Sequence, residues 1–222
     1  MQAKKTQKTR DPEATRLRIL AAAKAEFARK GLGGARVDDI ALRAKSNKRM
    51  MYHYFGNKEE LFRIALEEAY GDFRTAEAKL ELDRLDPIEA LKTLISFTWK
   101  YYLDNPEFIT LVNSENLHKA RHIRDSARIR EMSRPFVARM RQLLERGAAA
   151  GLFRRGLDPV QVNITIAAIG YYYLTNRFTG SIVFERDLMA ERALAERLDF
   201  NTRTVLRLVC TPETLKKIEA QS

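Results

Sequence analysis

The chain has 222 residues, of which 45% are hydrophobic and 31% charged, with 10 glycines and 6 prolines. That is the composition of an ordered, helix-rich protein of one or two domains, and it excludes a disordered tail or linker as the bulk of the molecule. The net charge is +11, with 15 Lys/Arg against 7 Asp/Glu in residues 1–60 and 25 against 22 in residues 61–222, so the first quarter carries the excess expected of a surface that meets phosphates, whether of DNA, RNA or an anionic membrane.

Cys210 is the single cysteine, which rules out an intramolecular disulfide or a thiolate zinc site and fits a reducing, cytoplasmic setting. Residues 1–12 are basic and polar and read as a flexible arm rather than a secretory signal. From Thr15 to Arg29 the residues Leu17, Leu20, Ala21, Ala23, Phe27 and Ala28 share a helical face, with Asp11-Pro12 as cap and first turn and Gly31 as terminator. Val37, Ile40, Ala41 and Ala44 then mark a helix of about two turns, Lys45-Ser46-Asn47 a tight turn, and Lys48 to Phe55 a third helix closed by Gly56-Asn57. A fourth begins at Lys58 with Leu61, Phe62, Ala65, Leu66 and Ala69 on one face and is expected to reach Phe73.

Further helical patterns follow at about 87–103, 106–117, 123–150, 159–178 and 188–208, three of them opened by Asp86-Pro87, Asn105-Pro106 and Asp158-Pro159. Strand-type alternation is nearly absent, so the fold class is all-α. Pro159 to Asn176 runs 18 residues without a charge. Gln161, Asn163, Thr165 and Asn176 argue against a membrane span, and the stretch reads as a core or subunit-interface helix.

Two short helices joined by a tight turn inside a basic three-helix unit are the parts of a DNA reader, although any small bundle can contain such a pair. The residues add to this. Ile19-Leu20-Ala21-Ala22-Ala23 with Phe27 and Gly31, Val37-Asp38-Asp39-Ile40-Ala41, Tyr52-His53-Tyr54-Phe55 and Lys58-Glu59-Glu60-Leu61 closely resemble the tetracycline-repressor (TetR) family over about residues 13–66.

The resemblance implies a helix-turn-helix domain at 13–60 and a larger effector-binding and dimerisation domain at 61–222. It implies a regulator of transcription, most simply a repressor released from operator DNA by a small molecule, and it calls for no cofactor. Asn47 falls at the cap of the recognition helix and Lys48 at a phosphate position. Arg49 and Met50 fall where base edges are touched, Arg49 suited to guanine and Met50 to a thymine methyl. Tyr52, His53, Tyr54 and Lys58 match a backbone-binding set, Lys58 at a helix start whose N–H groups also favour phosphate, and Arg36 a further phosphate position. Met51, Phe55 and Tyr54 can equally be core. The sequence departs from the pattern at Arg49, often a small residue, and at Lys45-Ser46, where a glycine is usual. A left-handed turn at Lys45 is strained unless the lysine gains a phosphate contact.

The family's dimer helices correspond to those near 133–150 and 159–178, with Gly170 permitting close approach between copies. Phe97, Trp99, Tyr102, Phe108, Asn113, Asn116, Tyr172, Tyr173 and Asn176 are candidates for an effector pocket, or for plain core. Eight basic residues between Lys119 and Arg141, against Asp125 and Glu131, admit an anionic effector gripped by Arg124 or Arg128, or else a solvated face. His118 and His122 have the four-residue spacing of a metal pair, with Asn116, Glu115 and Asp125 possible but none evident as a third ligand, so no metal is expected. Nothing resembles a catalytic set. The alternative is an all-α ligand-binding or enzymatic protein whose basic unit meets a membrane or a protein.

Overall fold

A computed structural model describes residues 11–220; most of the basic arm, residues 1–10, lies outside the described residues, as do 221–222. Among the described residues there are eleven α-helices and no strand, only an isolated antiparallel bridge between Phe153 and Cys210. They are α1 (Pro12–Gly34), α2 (Val37–Arg43), α3 (Lys48–Phe55), α4 (Lys58–Ala78), α5 (Pro87–Asp104), α6 (Pro106–Leu117), α7 (Ala127–Ala149), α8 (Pro159–Thr175), α9 (Arg177–Val183), α10 (Glu191–Val209) and α11 (Pro212–Glu219). No helix among them is long and apolar enough to cross a membrane.

The starts follow local chemistry. The Asp11 carboxylate accepts from the N–H groups of Glu13 and Ala14, Asp86 from those of Ile88 and Glu89, and Asp158 from that of Val160, each ahead of a proline in the first turn. Asn105 is different. It closes α5 instead, its side-chain amide donating to the carbonyl of Tyr101 at 2.9 Å.

The ends depart further from expectation. α1 is assigned to Gly34 but is broken at Gly31, whose φ of 65° and ψ of 176° are not helical. The helix expected at 123–150 begins only at Ala127, and the one expected at 159–178 stops at Thr175, with Asn176 between α8 and α9. α11 and a short 3-10 turn at Leu82–Arg84 were not anticipated.

Two compact units form: residues 11–69 with Thr110–Ser126, and Tyr70–Ile109 with residues 127–220. In the first, Ile19, Ala23, Phe27, Ile40, Met51, Leu61, Phe62, Ala65 and Leu66 are completely buried, with Phe27 and Phe62 edge to face at 5.1 Å. Leu17, placed on this face by periodicity, is instead 53% exposed. The core of the second is built from Leu91, Leu94 and Ile95 of α5, Phe136, Met140, Leu143 and Leu144 of α7, Val162 and Ile166 of α8, Val205, Leu206 and Val209 of α10, and Phe153 and Cys210. Burial pushes the Cys210 thiol up to about 11.

Several helices end in the same device, a left-handed residue that lets two backbone N–H groups return to the last turn. After α2 this residue is Lys45 at φ 50°, with Lys45 N–H bonded to Leu42 O at 3.0 Å and Ser46 N–H to Ala41 O at 2.9 Å. The turn therefore keeps the geometry that glycine would favour. Lys45→Gly is expected to stabilise folding by about 1 kcal/mol, because a β-carbon in this region costs roughly 1–2 kcal/mol and glycine's greater unfolded-state freedom returns part of it. If Lys45 meets a phosphate, the same variant lowers DNA affinity for all sequences and reduces the salt slope by about one. Denaturant melts and salt titrations of DNA binding read the two effects separately.

Candidate nucleic-acid interface and effector region

The eight residues of α3 divide by helical spacing. Met51 and Phe55 are buried, whereas Lys48, Arg49, Tyr52 and His53 are exposed and Met50 and Tyr54 half-buried. Phe55 therefore belongs to the core, with the Arg16 guanidinium 5.5 Å above its ring. Asn47 caps the helix by accepting from Met50 N–H at 2.9 Å. A concavity of about 260 Å³ lined by Arg18, Lys45, Asn47, Met50 and Tyr54 opens beside it.

The two helices ahead of it, α1 and α2, are tied together. Fully buried Glu26 of α1 accepts from Lys30 at 2.7 Å and Arg29 at 3.0 Å, and Lys30 also reaches Asp39 of α2 at 2.6 Å. These cations hold the Glu26 carboxyl below the usual range against its desolvation, the Lys30 hydrogen bond acting most strongly.

Two predicted phosphate ligands are engaged within the chain. Lys48 Nζ lies 2.8 Å from Asp38 Oδ1, a hydrogen bond that raises the ammonium's pKa. Lys58 Nζ donates to the carbonyls of Leu32 at 2.9 Å and Ala35 at 3.2 Å, bracing the α1–α2 connection. The start of α4 is also less open than expected, since Asn57 Oδ1 accepts from Glu60 N–H at 2.8 Å. Arg36 stands exposed just ahead of α2, without a side-chain cap bond. Asp38→Asn is expected to raise DNA affinity about two- to fivefold for specific and unrelated sequences alike, since an exposed ion pair that must open before Lys48 meets a phosphate is a weak competitor. Fluorescence anisotropy at fixed salt measures this, and unchanged affinity would remove Asp38 from the competition.

Of the residues expected around an effector, Asn113, Asn116 and Arg124 lie in the first unit and the others in the second. Phe97, Tyr102 and Phe108 join Phe73 and Tyr101 in one aromatic cluster, Phe73 stacking on Phe108 at 5.3 Å and on Tyr102 at 6.2 Å. Tyr171 meets Tyr102 at 6.1 Å. Burial pushes Tyr101 and Tyr171 up to about 12 and Tyr102 higher still, so all three stay neutral hydrogen-bond donors near pH 7. Trp99, 3% exposed, contacts Tyr173 at 5.6 Å. Tyr172 is 64% exposed, and Asn176 turns its amide back to Tyr172 O at 2.9 Å.

Part of what the sequence offered to a subunit interface is engaged within the chain. The apolar face of α7 is spent inside its own unit, Phe136, Met140, Leu143 and Leu144 all being buried, while Arg128, Arg130, Arg134 and Arg141 are exposed. Gly170 faces α5, where an added β-carbon would sit 3.5 Å from Trp99 and 3.6 Å from Tyr102. Exposed apolar side chains lie instead on α8 and α9: Val160, Ile164, Tyr172, Phe178, Ile182 and Val183.

His118 and His122 are committed through Nδ1, His118 at 2.7 Å from Ser114 O and His122 at 2.6 Å from the Glu115 carboxylate. The described residues contain no group of three metal-ligating side chains. Of the acids here, Glu115 was among the possible partners of the histidine pair, whereas Asp38 was missed because its partner Lys48 lies across a turn and leaves no spacing signal, and Glu26 was missed although Arg29 and Lys30 follow it at three and four residues.

A short helix with one edge locked into a small core and the other exposed, cationic and aromatic fits the reading head of a helix-turn-helix DNA-binding regulator. The comparisons agree. Residues 19–64 match the family model described as bacterial regulatory proteins of the tetR family, and residues 87–205 match the tetracyclin repressor-like C-terminal domain. The chain is 42% identical over 208 residues to the HTH-type transcriptional repressor NicS of Pseudomonas putida, covering 93% of this chain and 98% of that protein. It is 41% identical to the repressor SCO4008 of Streptomyces coelicolor over 49% of this chain and 53% of that one. The crystal structure of the S. coelicolor transcriptional regulator SCO4942 superposes with a TM-score of 0.66 at 26% identity, covering 88% and 98% of the two chains. The chain belongs to the tetR family and is a DNA-binding regulator of transcription rather than an enzyme.

Proposed function

We propose that this regulator is a homodimeric repressor that holds a palindromic operator through α3 and releases it when a small molecule occupies the larger unit. The observation that carries the reading is α3 itself, where Lys48, Arg49, Tyr52 and His53 are exposed above buried Met51 and Phe55. Repression is supported by the name of the P. putida relative. In this reading Arg36, Asn47, Lys48, Met50, Tyr52, His53, Tyr54 and Lys58 contact DNA around Arg49, with Lys58 exchanging two carbonyls for a phosphate.

Two copies pair through the outer face of α8 together with α9, whose exposed apolar residues need a cover. The effector lies among the aromatic residues of the larger unit. An anionic effector would draw on the basic residues of that same unit, Arg128 among them. Ligand can lower operator affinity only by favouring a conformation in which the two recognition helices are wrongly spaced, and α4, which supplies residues to both units, is the element to carry that change.

The test is a mobility-shift titration with DNA from upstream of the protein's own gene, and with genome fragments selected by binding, against excess unrelated competitor at physiological salt. A competitor-resistant complex is expected. Complexes that vanish equally with any competitor, for every selected fragment, would overturn the reading.

A further inference from the structure

The concavity of about 260 Å³ beside α3 is lined by Thr15 and Arg18 of α1 and Lys45 of the turn as well as by Asn47, Met50 and Tyr54. Arg18 is held in place there. Its Nη2 donates to Thr15 Oγ1 at 2.9 Å and its Nε to the carbonyl of Ala44 at 3.4 Å, while the Thr15 hydroxyl donates in turn to the carbonyl of Asp11 at 3.0 Å. Lys45 follows Ala44 directly and is exposed, in the left-handed region at φ 50°.

Among the described residues no carboxylate pairs with Arg18 or Lys45. The two acids at the start of α1 are engaged elsewhere, Asp11 in capping the helix and Glu13 at 3.5 Å from Arg16. Two cations lining one concavity without a counter-charge repel each other, and a left-handed lysine carries a strain that glycine would not. An anion seated between them offsets both costs.

We infer that this concavity seats a phosphate of the DNA backbone, on the strand opposite the one met by Lys48. The side follows from helical spacing. At about 100° per residue, Arg49 and His53 point away from buried Met51 and Phe55, with Lys48 and Tyr52 on one flank of α3 and Met50 and Tyr54 on the other. A helix in the major groove runs between two phosphate backbones, so each flank meets one of them, and the concavity belongs to the flank of Met50 and Tyr54. Arg18 brings a guanidinium fixed in advance, with Nη1 uncommitted among the described residues, and Lys45 a point charge. Contacts of this kind set the register of the reading helix without choosing the sequence. The inference rests on the reading in which α3 enters the major groove, and adds α1 and the turn to its contacts.

Phosphate-ethylation interference on the fragment bound in the mobility-shift assay tests it, using the full-length parent chain and the variants Arg18→Gln, Lys45→Gly and Lys48→Gln. Ethylation of one phosphate per half-site should block the parent and Lys48→Gln but not Arg18→Gln or Lys45→Gly. Arg18→Gln should lower affinity for operator and unrelated DNA alike by about tenfold and Lys45→Gly by about two- to fivefold, each with a salt slope lower by about one. Lys45→Gly keeps the turn, so its loss of binding does not come from unfolding, and circular dichroism with thermal melts checks Arg18→Gln. An interference pattern and salt slope unchanged in both variants, while Lys48→Gln alters them, would overturn the inference and leave α3 as the reading helix. So would losses confined to the operator with the slope unchanged, since Arg18 would then act only by holding the turn through Ala44. If Lys48→Gln and Arg49→Ala change nothing either, the placement of α3 in the groove falls and the inference with it. Should Arg18→Gln not fold, an unchanged pattern in Lys45→Gly alone would overturn it equally.

Discussion

Replacing Glu115 with alanine is expected to destabilise the protein by about 3 kcal/mol, a fall in Tm of roughly 6–12 °C for a chain of this size. Glu115 is 3% exposed, and its Oε1 accepts from the backbone N–H groups of His122 at 2.8 Å and Ile123 at 3.2 Å while Oε2 meets His122 Nδ1 at 2.6 Å. It anchors the turn between α6 and α7, in which two successive residues, Lys119 and Ala120, hold φ of 56° and 57°. Truncation orphans two amides and an imidazole, each loss worth about 1–3 kcal/mol, and relaxation of the two left-handed residues returns part of it. Glu115→Gln should fall between, having one acceptor oxygen left. Calorimetry gives the total, and hydrogen exchange should show faster exchange at residues 119–126. A Tm within 1 °C of the parent chain would show that the turn is held by its packing alone.

Arg49→Ala is expected to cost about 10- to 100-fold in operator affinity while changing affinity for unrelated DNA far less, since a bidentate contact to a base edge carries roughly 1–3 kcal/mol of discrimination. Arg49 is exposed, one residue along α3 from Lys48. Lys48 makes the contrast: its loss should weaken binding to every sequence and lower the salt slope by about one. Competition assays at several salt concentrations separate the two behaviours. Equal losses on operator and unrelated DNA for Arg49→Ala would count against base reading by this side chain.

Much of this architecture was legible because periodicity and polar caps are local signals. Met51 and Phe55, four residues apart, had to share the inner edge of α3, and Asp86-Pro87 and Asp158-Pro159 announced their helices. The less legible features depend on partners distant in sequence or on turns without glycine. Lys119, Ala120 and Glu185 adopt left-handed backbone where nothing in their side chains signals it, and the helix expected from residue 123 starts four residues later, at Ala127. Asn105 carries the same motif as Asp158 yet caps the preceding helix. Arg197 resembles any other arginine until Glu196 and Asp199 are seen to hold other partners, and an apolar stripe such as that of α7 has the same spacing whether it packs in its own unit or against a second copy.

Cys210 gives the molecule an internal clock. Its thiol is completely buried, and burial pushes it up to about 11, so only a small fraction is thiolate at neutral pH and a disulfide reagent in solution cannot reach it. Modification must wait for the larger unit to open, and under fast reclosing its rate measures how often that happens. A ligand that favours the closed form should slow the reaction by the factor through which it lowers the open population. Occupancy of the larger unit can thus be followed on the native chain, without a label and without DNA.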